Sequence, residues 1–235
     1  MRPQLRLFPI LFASLFLSVT AIARPRVQPP CRVLVVTFVG GIGPALFPPT
    51  MATPVIQSVR DLRYPGVCLK SVSSSWPWSA SHWVRKQFAA ARREEDSPGD
   101  PKLIVFGYSL GGSHAIRFAR AMQRLNIPIE LLVTVDIKGP TGAAIPGNVK
   151  YAANYYERWM YPLFFPIFYG KKNLYAEDPT KTNFMGNTQI LHAGHFQIVR
   201  RSNVRQLLCD AVELAYESAP SPAQISRNNS SAAEP

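Results

Sequence analysis

A serine hydroxyl becomes a strong nucleophile only when a base is placed to take its proton and an acid fixes that base. The 235-residue chain carries residues of these types in Gly107-Tyr108-Ser109-Leu110-Gly111, Asp136 and two late histidines, His192 and His195. Ser109 has a glycine two positions to either side. Without Cβ atoms there, the backbone can turn sharply and lie close to its neighbours. A hydroxyl carried on such a turn at a helix N-terminus faces backbone N–H groups that favour a developing oxyanion. His114 is too near Ser109 in the chain to serve as base, and His82 falls at a helix start, where a surface or capping role suits it.

The elements that must hold these residues are legible around them. Leu103 to Phe106 is a short apolar run that reads as a buried strand. After the serine, Ala115, Ala119 and Met122 recur at helical spacing, with Arg117, Arg120 and Arg124 on another face. A bare G-x-S-x-G arises by chance in roughly one chain in ten of this size; the strand before it and the helix after it remove most of that chance. Further strands are expected at Arg32–Phe38, Val67–Val72, Ile129–Val135, Val149–Tyr155 and Thr188–Leu191, the last ending at His192. Helices are expected over Pro54–Arg63, through Val84, Phe88 and Ala91 to near Glu95, and through Val204, Leu207, Leu208, Ala211 and Ala215. Ser109, Asp136 and the late histidines each follow a strand, so all should converge on one sheet edge.

Strand, elbow motif and helix together resemble the α/β-hydrolase superfamily, over most of residues 31–216. The resemblance implies an α/β fold: a mostly parallel sheet with helices on both faces, in three layers. It implies the order nucleophile Ser109, acid Asp136, base His195, the Gly194-His195 step being the familiar presentation of the base. Many members carry the acid one strand later, near Glu177 and Asp178. Thioesterase-type members carry it directly after the strand that follows the elbow helix, which matches Asp136 and suggests a thioesterase-like or lipase-like branch. The oxyanion hole would combine the Leu110 N–H with one from Gly40 or Gly41, in the glycine-rich loop after the first strand. Trp76 and Trp78, after the second strand, either wall an acyl pocket or pack against the domain. The implied activity is cleavage of a carboxylic ester or thioester, from a small molecule or a lipid, through an acyl-enzyme on Ser109. No metal or organic cofactor is implied. The alternative from another class is a non-catalytic binding protein of the same fold at the cell envelope.

Arg2 and Arg6, an uncharged run from Leu7 to Ala23 and the Ala21-Ile22-Ala23 pattern read as an export signal over residues 1–23, an uncleaved anchor being the alternative. Residues 24–30 read as a linker, 31–217 as the domain and 218–235 as a disordered tail. The formal charge of +12 suits an anionic surface such as phospholipid head groups, or serves solubility alone. The chain carries no nucleic-acid-binding motif. Of the three cysteines, Cys31 and Cys68 stand near the starts of two strands and form the pair most suited to a disulfide in an exported chain. An aromatic, proline-interrupted stretch, Trp159 to Tyr169, is expected as a lid, a lipid-facing insertion or core packing.

Overall fold

Aliphatic, β-branched runs with no polar face suit strands covered on both sides, and three of them form the centre of the molecule. The computed structural model describes residues 31–40, 53–73, 78–93, 99–139, 142–157 and 173–219. The expected signal and linker, Gly41, Trp76, the aromatic stretch and residues 220–235 lie outside the described residues. In chain order the elements are β1 (Val33–Val39), α1 (Thr53–Asp61), β2 (Val67–Ser73), α2 (Trp78–Ala91), β3 (Lys102–Tyr108), α3 (Leu110–Arg124), β4 (Ile129–Val135), β5 (Ala144–Ile145), β6 (Val149–Tyr156), β7 (Tyr175–Ala176), β8 (Asn183–Gln189), α4 (His195–Ile198) and α5 (Ser202–Ser218).

Six strands form one sheet in the order β2-β1-β3-β4-β6-β8, every described pair parallel. The period of two divides each central strand between two cores. Leu34, Val36, Phe38, Leu103 and Val105 face α2 and α3, meeting Val84, Phe88, Ala115, Ala119 and Met122. Val33, Val35, Ile104, Phe106 and Val133 face the other way, against Val55 and Val59 of α1 and Val204, Leu208 and Val212 of α5. Helix, sheet and helix make three layers, the arrangement that the resemblance to the α/β-hydrolases implies.

The chain runs from β1 outward to β2, then crosses back over β1 to add β3 on its other side. Strand order therefore reverses between β1 and β3, and in open α/β sheets ligands bind beyond the C-terminal strand ends at such a switch point. Gly40 follows β1 and Ser109 follows β3. The topology alone brings the glycine loop and the elbow together.

The last strand departs from expectation. β8 spans Asn183–Gln189, several residues earlier than Thr188–Leu191, and Leu191 is exposed. It is an edge strand without an apolar run, and its Asn187 side chain is spent on Asn154 and on both backbone groups of Leu174. A register shift between Ala152 and Asn154 of β6 further blurs the pattern. At the C-terminus α5 reaches Ser218, and the buried Ala219 accepts a hydrogen bond from Arg32. The small β5–β7 pair and the four-residue α4 were too short to leave a periodic signal.

Cys31 and Cys68 are joined in a disulfide, with Cα atoms 5.7 Å apart, tying the start of β1 to its neighbour β2; Cys209 is free and half-buried. Closing a loop of this length restricts the unfolded chain by about 3–4 kcal/mol. The Cys31→Ser/Cys68→Ser double variant should lose stability of that order in urea unfolding. An unchanged midpoint would show that the bridge contributes nothing.

Candidate active site

Helix α3 begins on the end of β3 with a single residue between them, Ser109. Its backbone stands at φ 58°, ψ −128°, outside the region that side-chain-bearing residues favour. Three backbone hydrogen bonds hold it there. The Ser109 N–H donates to Val135 O at 2.9 Å, and the Ser109 carbonyl accepts from Gly112 N at 2.9 Å and Lys138 N at 3.1 Å. The Ser109 hydroxyl makes no capping bond to α3, so it is not consumed in starting the helix.

Glycine is required where this turn meets β1. A Cβ on Gly111 would lie 2.1 Å from the Phe38 carbonyl oxygen, an impossible contact. A Cβ on Gly40 would lie 2.5 Å from Ser109 Cβ and 2.8 Å from Leu110 N. The Gly40 backbone thus stands directly beside the serine and the first N–H of α3, a group with no partner within its own helix.

Asp136 directly follows β4, in register with the elbow, since Tyr108 pairs with Val135. Its own backbone has φ 45°, and its N–H donates to Tyr155 O at 2.7 Å, extending the ladder to β6. The residue is 2% exposed, and its Oδ2 is hydrogen-bonded to His195 Nδ1. Burial acts most strongly on this carboxyl and opposes its charge. The His195 ring and the Lys138 ammonium together outweigh burial and hold it below the usual aspartate range.

His195 is the first residue of α4, after Gly194, and it is steered from two sides. Its ring stacks on that of Tyr108, centroids 5.0 Å apart, and the Tyr108 hydroxyl donates to its carbonyl oxygen at 2.7 Å. Burial, then Asp136 and Glu157, raise the Tyr108 phenol well above its ordinary range, so it stays a donor. Serine, aspartate and histidine therefore gather at one sheet edge. Asp136 and His195 are in direct contact; among the described residues Ser109 Oγ has no hydrogen bond to the ring.

The other candidates fall elsewhere. His192, the other late histidine, is exposed at φ 54°, its carbonyl taken by Arg201. His82 is exposed on α2. Glu177 pairs with Arg120, and Asp178 binds Thr180 and Lys181 in its own turn, so neither occupies the later acid position. Trp78 opens α2, after the C-terminal end of β2, and is 63% exposed.

Two members of the site escaped the sequence reading. Glu157 directly follows β6, the strand beside β4, and is 7% exposed. Lys138 places its Nζ 3.1 Å from Asp136 Oδ1 and 4.0 Å from Glu157 Oε1. The rule that chemistry sits after strand ends would have found Glu157, had the strand been extended through Tyr156. Asp136, Glu157 and His195 bring metal-ligating atoms within 4.8 Å of one another. The positive charge that such a donor set calls for is already supplied by Lys138.

No protein-family model matches the chain, and no curated protein matches it in sequence. Among solved structures it is similar to a cutinase-like protein from Cryptococcus sp., at 9% identity over 82% of this chain and 99% of that one, TM-score 0.45. It is also similar to the RedJ thioesterase of the prodiginine pathway in Streptomyces coelicolor, at 11% identity over 90% and 97%, TM-score 0.45. A third is Est1E from Butyrivibrio proteoclasticus, at 10% identity over 79% and 90%, TM-score 0.41.

A strained backbone at Ser109 has a measurable consequence. Ser109→Gly should stabilise the fold by about 1–2 kcal/mol in denaturant unfolding, because glycine adopts this conformation without strain. Ser109→Ala, which keeps the Cβ, should not. Equal stability of the two variants would contradict the strain.

Proposed function

We propose that the protein is a serine hydrolase that cleaves a carboxylic ester or thioester through an acyl-enzyme on Ser109. The observation that carries this reading is the arrival of Ser109, on a strained strand-to-helix turn, at the same sheet edge as the Asp136–His195 pair.

Ser109 Oγ attacks the carbonyl carbon, and His195 Nε2 takes the hydroxyl proton. Asp136 accepts from His195 Nδ1–H, which fixes the tautomer and stabilises the ring as it becomes positive. The carbonyl oxygen, now negative, is held by the Leu110 N–H and by one from the Gly40–Gly41 loop, a contribution of about 3–4 kcal/mol for a single well-placed donor. His195 returns the proton to the departing alcohol or thiol as the tetrahedral intermediate collapses. Water then attacks the acyl carbon with His195 again as base, the acid is released and Ser109 is restored.

The Cys31–Cys68 disulfide and the signal-like first 23 residues support export. Outside the cell, acyl-carrier thioesters are scarce, which favours an ester substrate. The net positive charge of the chain suits work near an anionic membrane.

Hydrolysis of p-nitrophenyl esters of graded chain length tests the reading. Wild type should cleave some of them, and Ser109→Ala and His195→Ala should each lose about 10³-fold or more in kcat. A folded wild type that cleaves none would favour the non-catalytic binding protein instead, and a Ser109→Ala variant as fast as wild type would show that Ser109 is not the nucleophile.

A further inference from the structure

Buried carboxyl groups are costly unless the fold uses them, and Glu157 has no role in the mechanism above. We propose that Glu157 is a positioning residue of the Ser109 site: a second carboxyl that shares Lys138 with Asp136 and adds its own negative charge beside the His195 ring.

Two neighbouring strands deliver the two acids. Asp136 follows β4 and Glu157 follows β6, and the Asp136 N–H is bonded to the β6 backbone at Tyr155. Ligating atoms of both carboxyls and the imidazole lie within 4.8 Å of one another. Lys138 Nζ is nearer to Asp136, at 3.1 Å, than to Glu157, at 4.0 Å. Glu157 Oε2 is buried and has no hydrogen-bond partner among the described residues, and it faces Gly194, the residue before the base. The titratable groups around Glu157 are Asp136 and Lys138 from the segment after β4, His195 from α4 and Tyr108 from β3; Arg200 acts on Tyr108.

The geometry makes the Glu157 charge conditional. Burial first, then the adjacent Asp136, push its carboxyl up to about 7, with Lys138 pulling against them. Below that value Glu157 is neutral and the charge of Asp136 is balanced by Lys138. Above it the site carries one more negative charge, which favours the positive His195 ring formed as the serine proton is taken. The same charge costs stability. The ordinary glutamate value is 4.5, so between about 4.5 and 7 the folded protein holds a proton that the unfolded chain has released. The fold therefore weakens as pH rises through that window.

The inference rests on the Ser109 reading and is tested with Glu157→Gln, which keeps the shape and cannot ionise. In ester hydrolysis the variant should match wild type in kcat/KM below about pH 6 and fall about tenfold behind by pH 8.5. In thermal unfolding it should melt with wild type at pH 4.5 and roughly 7–14 °C above it at pH 8.5. A rate ratio that is flat with pH, or a melting difference that is flat with pH, would overturn the inference. Failure of the hydrolase reading looks different: Ser109→Ala would then hydrolyse esters as fast as wild type. A dead Ser109→Ala beside a flat Glu157→Gln ratio would sink this inference alone.

Discussion

Everything at this site depends on how closely the end of β1 lies against the first turn of α3. A helix can start directly above a neighbouring strand only if no Cβ stands between the two backbones. Gly111 meets that condition against the Phe38 carbonyl, and Gly40 meets it from the other side, against Ser109. The approach leaves room for one connecting residue, and that residue takes the left-handed backbone of Ser109. The strain is retained by the bond that the Ser109 N–H donates to Val135 and by those its carbonyl accepts from Gly112 and Lys138, so the fold determines the conformation and the serine does not choose it.

The second constraint is electrostatic. Asp136 is buried, and alone it would tend to protonate and lose its hold on the His195 ring. Lys138, two residues on, lies in the same loop and supplies the compensating charge. Its backbone serves the elbow as well, since Lys138 N donates to Ser109 O and Lys138 O accepts from the Ser113 hydroxyl at 2.7 Å. One short segment therefore braces the serine turn and ionises the acid. Tyr108, the residue before the serine, does the corresponding work for the base by stacking on its ring and bonding its carbonyl. Substitutions in these second partners act on geometry and charge without touching the reacting atoms.

Much of this was legible in the sequence, for identifiable reasons. β1, β3 and β4 are covered on both faces, so they appear as unbroken aliphatic runs. The elbow is visible because close approach demands glycine at fixed offsets. The cysteine pair followed from its position at two strand starts. What stayed hidden depends on neighbours that only the sheet order brings together. Glu177 and Asp178 suited the later acid position when counted along the chain, yet the strand that lies beside β4 is β6, and the residue after it is Glu157. β8 was misplaced because its polar residues bond across the sheet edge instead of forming an apolar run.

The most direct test of the account is covalent labelling of the purified protein with a fluorophosphonate, followed by intact-mass and peptide mass measurement. Such a reagent adds to a serine only when a base activates the hydroxyl and donors receive the phosphonyl oxygen. The account predicts one adduct per chain, on the peptide containing Ser109, absent from Ser109→Ala and much slower in His195→Ala. A folded protein that takes no label, or takes it on another residue, would contradict it.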